Sequence, residues 1–480
     1  MTEPKLHIPK GVSIRQYQNL AYERWRAHNY SGIFAMATGT GKTITSLNCV
    51  YEEYLEALNE FKNNSYHLLI LVPTQPLLDQ WGREIKTWGF NSIYKVSGET
   101  NWRNSLRELI TDMQFGLEVD FAIIATYRSF TNPDFLSILN KLPKDLILIA
   151  DEAHNIGQRQ VQEALESINI HKKIGLSATP KRIYDPEGTV GLEDFFRDSE
   201  PYLFSLYMDE AIESGSLCKY VYYPKLVELN DKELEEYTIL SLKIAKLSNF
   251  PGEENAELIE RLLLKRKRVI NKAVGKIDAL AEIIKEIQKK EKLQFCFIYA
   301  PAGDVESDEE DINGDNIRLI RKMQKVVEVN APGVKTHAYL GETQDREDIL
   351  KSFSKGEIDI LLAINCLDEG VDVPRTAIGI FTSSTGNPRQ YIQRRGRLLR
   401  KHPDKSRALI YDIVVIPKLF GGEQEAPDFN IQRSLVKNEL TRVGYFAKLS
   451  ENFYDTREVL QDTCDYYNLD LDTIIKDLER

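Results

Sequence analysis

Short apolar runs alternate with polar, helix-favouring stretches along this chain, and the alternation occurs twice. HLLILVP near residue 70, FAIIATY near 124, LILIADE near 149 and KIGLSAT near 176 form the first set. Such runs suit strands buried on both faces. The helical patterns between them imply a parallel sheet wound by helices across residues 33–205. FCFIYA near 297, THAYLG near 338, IDILLAI near 361, AIGIFTS near 380 and ALIYDIVV near 411 repeat the arrangement, so two separate α/β units are expected.

The expected division is 1–205 for the first unit, 206–427 for the second and 428–480 for a helical tail that braces the second. Residues 231–292, from NDKELEEYTILSLKIAKL to KEIQKKEK, are a charged, helix-favouring insert within the second unit, interrupted by a turn at NFPGEEN. The acidic stretch GDVESDEEDINGD at 303–315 reads as a solvated loop. Its sharper reading is a partner or autoinhibitory contact.

A length of 480 residues, 42% hydrophobic and 28% charged, is enough for two or three full cores. The formal net charge of −11 argues against a protein that coats nucleic acid nonspecifically, although a local basic groove on an acidic body remains open. Five cysteines lie far apart, without the paired spacing of a zinc site or disulfide framework. The N-terminus lacks a basic patch followed by an apolar run, and no stretch approaches the ~18 apolar residues of a membrane span. A cytoplasmic protein with no membrane partner is expected.

FAMATGTGKT precedes a plausible helix, ITSLNCVYEEYLEAL. A glycine-rich turn at a helix N-terminus brings backbone N–H groups and the helix dipole to phosphate oxygens. Thr38, Gly39, Thr40, Gly41, Lys42 and Thr43 are therefore nucleotide-binding candidates. Lys42 would neutralise the β- and γ-phosphates of ATP, and the Thr43 hydroxyl would ligate Mg²⁺. Met36 stands where the strict phosphate-loop pattern begins with glycine. About a hundred residues on, LILIADEAH ends an apolar strand in two carboxylates. Asp151 is placed to hold Mg²⁺ through water, and Glu152 to orient and deprotonate the attacking water.

These residues carry a resemblance. Asp151-Glu152-Ala153-His154 resembles the DEAH box of superfamily-two helicases, and further motifs follow in that family's order. Ile14-Arg15-Gln16-Tyr17-Gln18 resembles the adenine-reading segment, which makes Arg15 and Gln18 cofactor-binding candidates. LVPTQPLLDQW at 71–81 resembles motif Ia, Ser177-Ala178-Thr179 motif III, CLDEGVDVP at 366–374 motif V and QRRGRLLR at 393–400 motif VI. The resemblance spans residues 14 to about 415. It implies two tandem RecA-like lobes with ATP between them, and Arg397 and Arg400 as arginine fingers. Gly370 and Asp372 are implied at the nucleotide, with Asp372 at its ribose. His154, Ser177, Thr179 and Gln393 are implied to couple the nucleotide to movement. Pro73, Thr74, Thr126 and Thr343 are the matching positions for contacts to a nucleic-acid backbone. Ile364-Asn365 departs from the Ala-Thr frequent in motif V.

The combination looks closest to the branch containing nucleotide-excision-repair-type helicases and the motors of type I and type III restriction enzymes, which favours DNA over RNA as partner. Arg261, Lys265, Arg268, Lys272 and Lys276 fall within roughly an 80° arc at about 100° per residue, beside an apolar arc of Leu262, Val269, Ala273, Ile277, Leu280 and Ile284. That is a basic stripe able to track DNA if Gly275 leaves the helix intact; a solvated helix face is the plainer reading. No nuclease constellation is visible, so a role in restriction or antiviral defence would need a separate nuclease or complex subunit. The rival expectations are an RNA-directed helicase of the same fold and an ATP-gated binding module that opens no duplex.

Overall fold

A computed structural model describes residues 3–182, 185–249, 252–301, 311–340, 343, 345–364, 373–383, 388–419 and 428–478. It resolves into two compact units, Met1–Ser216 and Leu217–Arg480.

The first unit is built on seven strands: β1 (Ser31–Met36), β2 (His67–Val72), β3 (Ile93–Val96), β4 (Phe121–Thr126), β5 (Ile147–Asp151), β6 (Lys172–Ser177) and β7 (Phe204–Leu206). Their order is β3-β4-β2-β5-β6-β1-β7, all parallel. The central strands are buried over nearly their whole length, as in a parallel sheet covered by helices on both faces, which is why their sequences read as apolar runs. The expected boundary at 205 falls inside β7, which pairs with β1 and so continues this sheet.

The second unit holds β8 (Lys219–Glu228), β9 (Cys296–Tyr299), β10 (Thr336–Tyr339), β11 (Ile360–Ala363), β12 (Ile378–Phe381) and β13 (Arg407–Ile416), in the order β10-β11-β9-β12-β13-β8, again parallel. The two tandem parallel-sheet α/β lobes expected from sequence are therefore present, with the inserted helices and the helical tail both in the second.

The edge strand β8 is finished by side chains. Asn452 accepts from the Tyr222 amide at 2.9 Å and donates to the Tyr222 carbonyl at 2.8 Å, so the backbone of Tyr222 points away from β13. Pro224, two residues on, takes the same outward register and has no N–H.

The insert is two antiparallel helices, Asp231–Ser248 and Glu253–Asn271, followed by a third, Gly275–Lys290. The pattern is interrupted at residues 272–274, just before Gly275. Its helix starts so close to β8 that a Cβ there would meet Val227 Cγ1 at 2.7 Å. The apolar arc accordingly divides: Val269 and Ala273 pack in one cluster, Leu280 and Ile284 in the main core. The basic stripe is cut short as well. Arg261, Lys265 and Lys272 are exposed and Arg268 half-buried, but Lys276 is buried with its ammonium donating to the Thr382 carbonyl at 2.9 Å.

The tail helix Phe429–Ala447 packs on β13 through a buried ionic cluster. Arg442 pairs with Asp412 and, at 2.6 Å, with Glu439, while the Tyr222 hydroxyl donates to Asp412 at 2.7 Å. Removing the cation strands two buried carboxylates. Arg442→Met is therefore expected to cost about 3–5 kcal/mol, read as a lowered urea midpoint.

Candidate active site

In a parallel sheet, ligands bind beyond the carboxyl ends of the strands. In the first unit β5, β6 and β1 are neighbours, and their carboxyl ends deliver Asp151, Ser177 and the phosphate loop side by side.

Met36 is the fully buried last residue of β1, so the departure from the glycine pattern falls in extended backbone, where glycine is unnecessary. The turn itself needs glycine at Gly39, with φ +90°, and at Gly41, with φ +84°. The helix Lys42–Phe61 starts directly after it, putting Lys42 and Thr43 in the first turn.

The N-terminal helix Gln16–Ala27 holds this loop. The Tyr17 hydroxyl donates to the Thr40 carbonyl at 2.5 Å; the Gln18 carboxamide accepts from the Arg15 amide at 2.9 Å and donates to Thr45 Oγ1 at 3.2 Å. Thr45 in turn donates to the Gly41 carbonyl at 2.9 Å, and Thr40 to the Ala37 carbonyl at 2.7 Å. Arg15 lies against Tyr17, its guanidinium 5.9 Å from the ring centre. The Thr38 hydroxyl is buried without a hydrogen-bond partner among the described residues.

Lys42 Nζ lies 3.6 Å from Glu152 Oε1, and His154 Nδ1 lies 3.4 Å from Glu152 Oε2. The Lys42 ammonium is buried and makes no hydrogen bond among the described residues. Glu152 itself has a left-handed backbone, φ +48° and ψ +56°, at the exit of β5. That conformation costs a non-glycine residue roughly 1–2 kcal/mol, and here it turns the chain so that adjacent carboxylates serve different partners. Asp151 accepts from the Trp81 indole N–H at 2.8 Å and from the Glu152 amide at 3.0 Å; its backbone carbonyl accepts from the Tyr127 hydroxyl at 2.9 Å. Burial raises the Asp151 pKa, and the neighbouring Glu152 charge adds to that, against the lowering effects of Lys42, Trp81 and the Glu152 amide. A cation at Asp151 would offset both raising causes.

The donor set fits ATP with Mg²⁺. An unbonded buried ammonium and a glycine-turned helix N-terminus suit phosphates, and one carboxylate with the Thr43 hydroxyl is the sparse protein ligation Mg²⁺ takes beside phosphate oxygens.

Ser177 is fully buried at the end of β6 and accepts from the Thr179 amide at 3.1 Å. Arg182 ties this segment to the DEAH turn, donating to the His154 carbonyl at 2.8 Å. Further along the same sheet edge, Pro73 and Thr74 follow β2 and Thr126 ends β4. The Thr74 hydroxyl is buried and unbonded among the described residues. Thr126 instead caps a short helix, accepting from the Ser129 amide at 3.2 Å.

In the second unit, Thr343 accepts from the Leu340 amide at 2.7 Å, beyond β10. Gly370 and Asp372 lie outside the described residues. Motif VI falls on the helix Pro388–Leu398. Gln393 and Arg397 share its partly exposed face, Arg400 continues that spacing just past the helix end, and Arg394 and Arg395 are buried. Arg394 donates to Ser383 Oγ at 3.2 Å; Arg395 donates to the Tyr220 hydroxyl at 3.2 Å and to the Tyr445 carbonyl of the tail.

The sequence reading did not single out Trp81, Tyr127, Tyr17, Arg182 or the anchoring pair Arg394 and Arg395. A signal existed for the first two: an indole N–H or phenol in an apolar setting must find a partner; Tyr127 directly follows β4, and Trp81 lies on the helix Gln75–Thr87 that follows β2.

Residues 11–182 match the family "Type III restriction enzyme, res subunit", and residues 275–402 match "Helicase conserved C-terminal domain". The chain is similar to the DNA 3′-5′ translocase XPB2 of Sulfurisphaera tokodaii, with 26% identity over 85% of this chain and 82% of the relative. The Rad25 relative of Haloarcula marismortui, named "Putative DNA 3′-5′ helicase Rad25", is 23% identical over 82% of this chain, which spans only 51% of that relative. Among solved structures, an ATP-dependent type ISP restriction-modification enzyme, LlaBIII, bound to DNA, aligns with a TM-score of 0.59 at 18% identity. It covers 92% of this chain, which accounts for 30% of that larger one. The likeness lies in the fold. Among the described residues no helix is long and apolar enough to cross a membrane.

Proposed function

We infer that this chain, which carries the paired domains of a superfamily-two helicase and resembles restriction-enzyme motors, is an ATP-driven DNA translocase. The observation that carries the reading is the meeting of Lys42, Asp151 and Glu152 at the carboxyl ends of β1 and β5, the strands on either side of β6, with the lysine ammonium buried and 3.6 Å from Glu152 Oε1.

Lys42 and the loop amides bind and orient the phosphates of ATP. Asp151 and Thr43 would hold Mg²⁺, which when bound neutralises charge on those phosphates. Glu152 accepts the proton of the attacking water; His154, 3.4 Å away, orients its carboxylate. Arg397 and Arg400 supply positive charge to the transferring phosphoryl group, and Gly370 and Asp372 bind the nucleotide. Ser177, Thr179 and Gln393 relay the state of the nucleotide to Pro73, Thr74, Thr126 and Thr343, which hold the backbone of one DNA strand. Arg261, Lys265, Arg268 and Lys272 add sequence-independent attraction to phosphate. The DNA substrate is supported by the similarity to a DNA translocase and to a DNA-bound restriction enzyme. We further propose a role in restriction or antiviral defence, in the cytoplasm and with cleavage by a separate subunit; the match of residues 11–182 to a type III restriction subunit supports the restriction part of that reading.

The deciding measurement is steady-state ATP turnover without polynucleotide, with single-stranded DNA, with duplex DNA and with RNA. Stimulation by DNA of about tenfold or more is expected, against a smaller response to RNA, and it should weaken steeply with salt. Stimulation by RNA alone would transfer the protein to the RNA-directed branch. ATP binding without stimulated turnover would make it a nucleotide-gated binding module.

A further inference from the structure

Lys405 lies in a tight turn after motif VI, closed by a bridge between His402 and Lys405. Its side chain runs inward and is buried. The three N–H bonds of its ammonium meet three backbone carbonyls: Pro374 at 2.8 Å, Thr376 at 2.9 Å and Leu398 at 3.0 Å. An ammonium has three donors and no acceptor, so this set saturates it.

The acceptors come from two separate places. Leu398 ends the motif VI helix, where carbonyls lack intrahelical partners and a cation opposes the negative end of the dipole. Pro374 and Thr376 belong to the passage from motif V into β12. That passage is also fixed by Thr376, which donates to the Val373 carbonyl at 2.9 Å, and by Arg375, whose guanidinium sits 4.2 Å from the Phe295 ring centre and 3.1 Å from Asp404.

We propose that Lys405 is a positioning residue for ATP turnover: its ammonium pins the exit of motif V to the last turn of the motif VI helix, and so fixes where Arg397 and Arg400 stand. The functional half of this statement rests on the motor reading above; the mechanical half does not.

Burial lowers the Lys405 pKa to about 8, with Arg400 acting in the same direction and the Cys218 thiol in the opposite one. Among the described residues, the other charged groups around the turn are Lys401, which faces Cys218, and the His402–Asp404–Arg375 chain. Above that pH a neutral amine has two N–H bonds for three carbonyls.

The test uses the full chain and compares Lys405→Met and Lys405→Arg with wild type. Wild-type kcat is expected to fall as pH rises through about 8, whereas both variants lose that limb. At pH 7, Lys405→Met should lower kcat by about 10- to 100-fold with the KM for ATP nearly unchanged, and Lys405→Arg should recover part of the loss. Hydrogen exchange at the carboxyl end of the 388–398 helix should speed up severalfold in Lys405→Met. The proposal is overturned if the alkaline limb persists unchanged in either variant, if kcat of Lys405→Met equals wild type, or if exchange is unaltered. Should Lys405→Met lose its circular-dichroism signature, the pH profile and exchange of Lys405→Arg decide instead. Exchange answers even if the chain hydrolyses no ATP, so a failure of the motor reading is told apart from a failure of the clamp.

Discussion

Glu152→Gln should bind ATP as wild type does and turn it over on the order of 10³ times more slowly. The substitution keeps the size of the side chain and the left-handed turn at the end of β5, so the DEAH segment retains its bonds to Trp81, Tyr127 and Arg182. What disappears is the carboxylate 3.6 Å from Lys42 that takes the proton from water in the proposed mechanism. The carboxamide also removes a negative charge next to buried Asp151, which should leave nucleotide affinity equal or tighter. Equilibrium binding of a fluorescent ATP analogue beside steady-state turnover checks both halves. Normal turnover in Glu152→Gln would move the general base elsewhere and remove the centre of the assignment.

Arg397→Ala should reduce DNA-stimulated turnover by about 10³-fold or more while leaving the melting temperature near wild type. Arg395→Ala should do the reverse in emphasis, lowering stability first. The contrast follows from the two faces of one helix. Arg394 and Arg395 are buried and bonded to Ser383, Tyr220 and the tail, whereas Gln393 and Arg397 lie on the partly exposed side. Arg397→Lys should not rescue, because a point charge does not reproduce a planar fork. Equal loss of activity in Arg395→Ala and Arg397→Ala without a stability difference would erase that distinction.

The central strands were legible because a parallel sheet covered on both faces writes itself as unbroken apolar runs; all nine quoted runs are strands. The edges were not. β3 is four residues long and partly exposed, β7 is three, and β8, KYVYYPKLVE, mixes Pro224 and charges into a half-buried strand. The insert misled at one point. Periodicity continues across Gly275, but the helix restarts there, where the backbone comes close to Val227 and the Val274 amide donates to Glu233 Oε1 at 2.9 Å, and Lys276 turns inward.

At the candidate site, residues with distinctive chemistry at strand ends could be named from sequence, since the fold puts every strand end of one sheet on the same edge. The supports could not. Tyr17 reaches the phosphate loop from 23 residues away, and Trp81 reaches Asp151 from 70. Lys405 is one lysine in the run RKHPDKS, with nothing local to mark it. Its significance lies in three carbonyls that come together only after folding.

The finish of β8 has a consequence for how this protein can be assembled. A bare outer strand is a template on which another chain can continue the sheet, which is how many domains capture tails or polymerise. Here Asn452 occupies both backbone groups at Tyr222, and Pro224 offers no donor at the next outward register. Growth by strand addition is blocked along that stretch of the border. A companion subunit that docks at this border must then recognise side chains rather than continue the sheet, and crowded copies of the chain are kept from zipping together there.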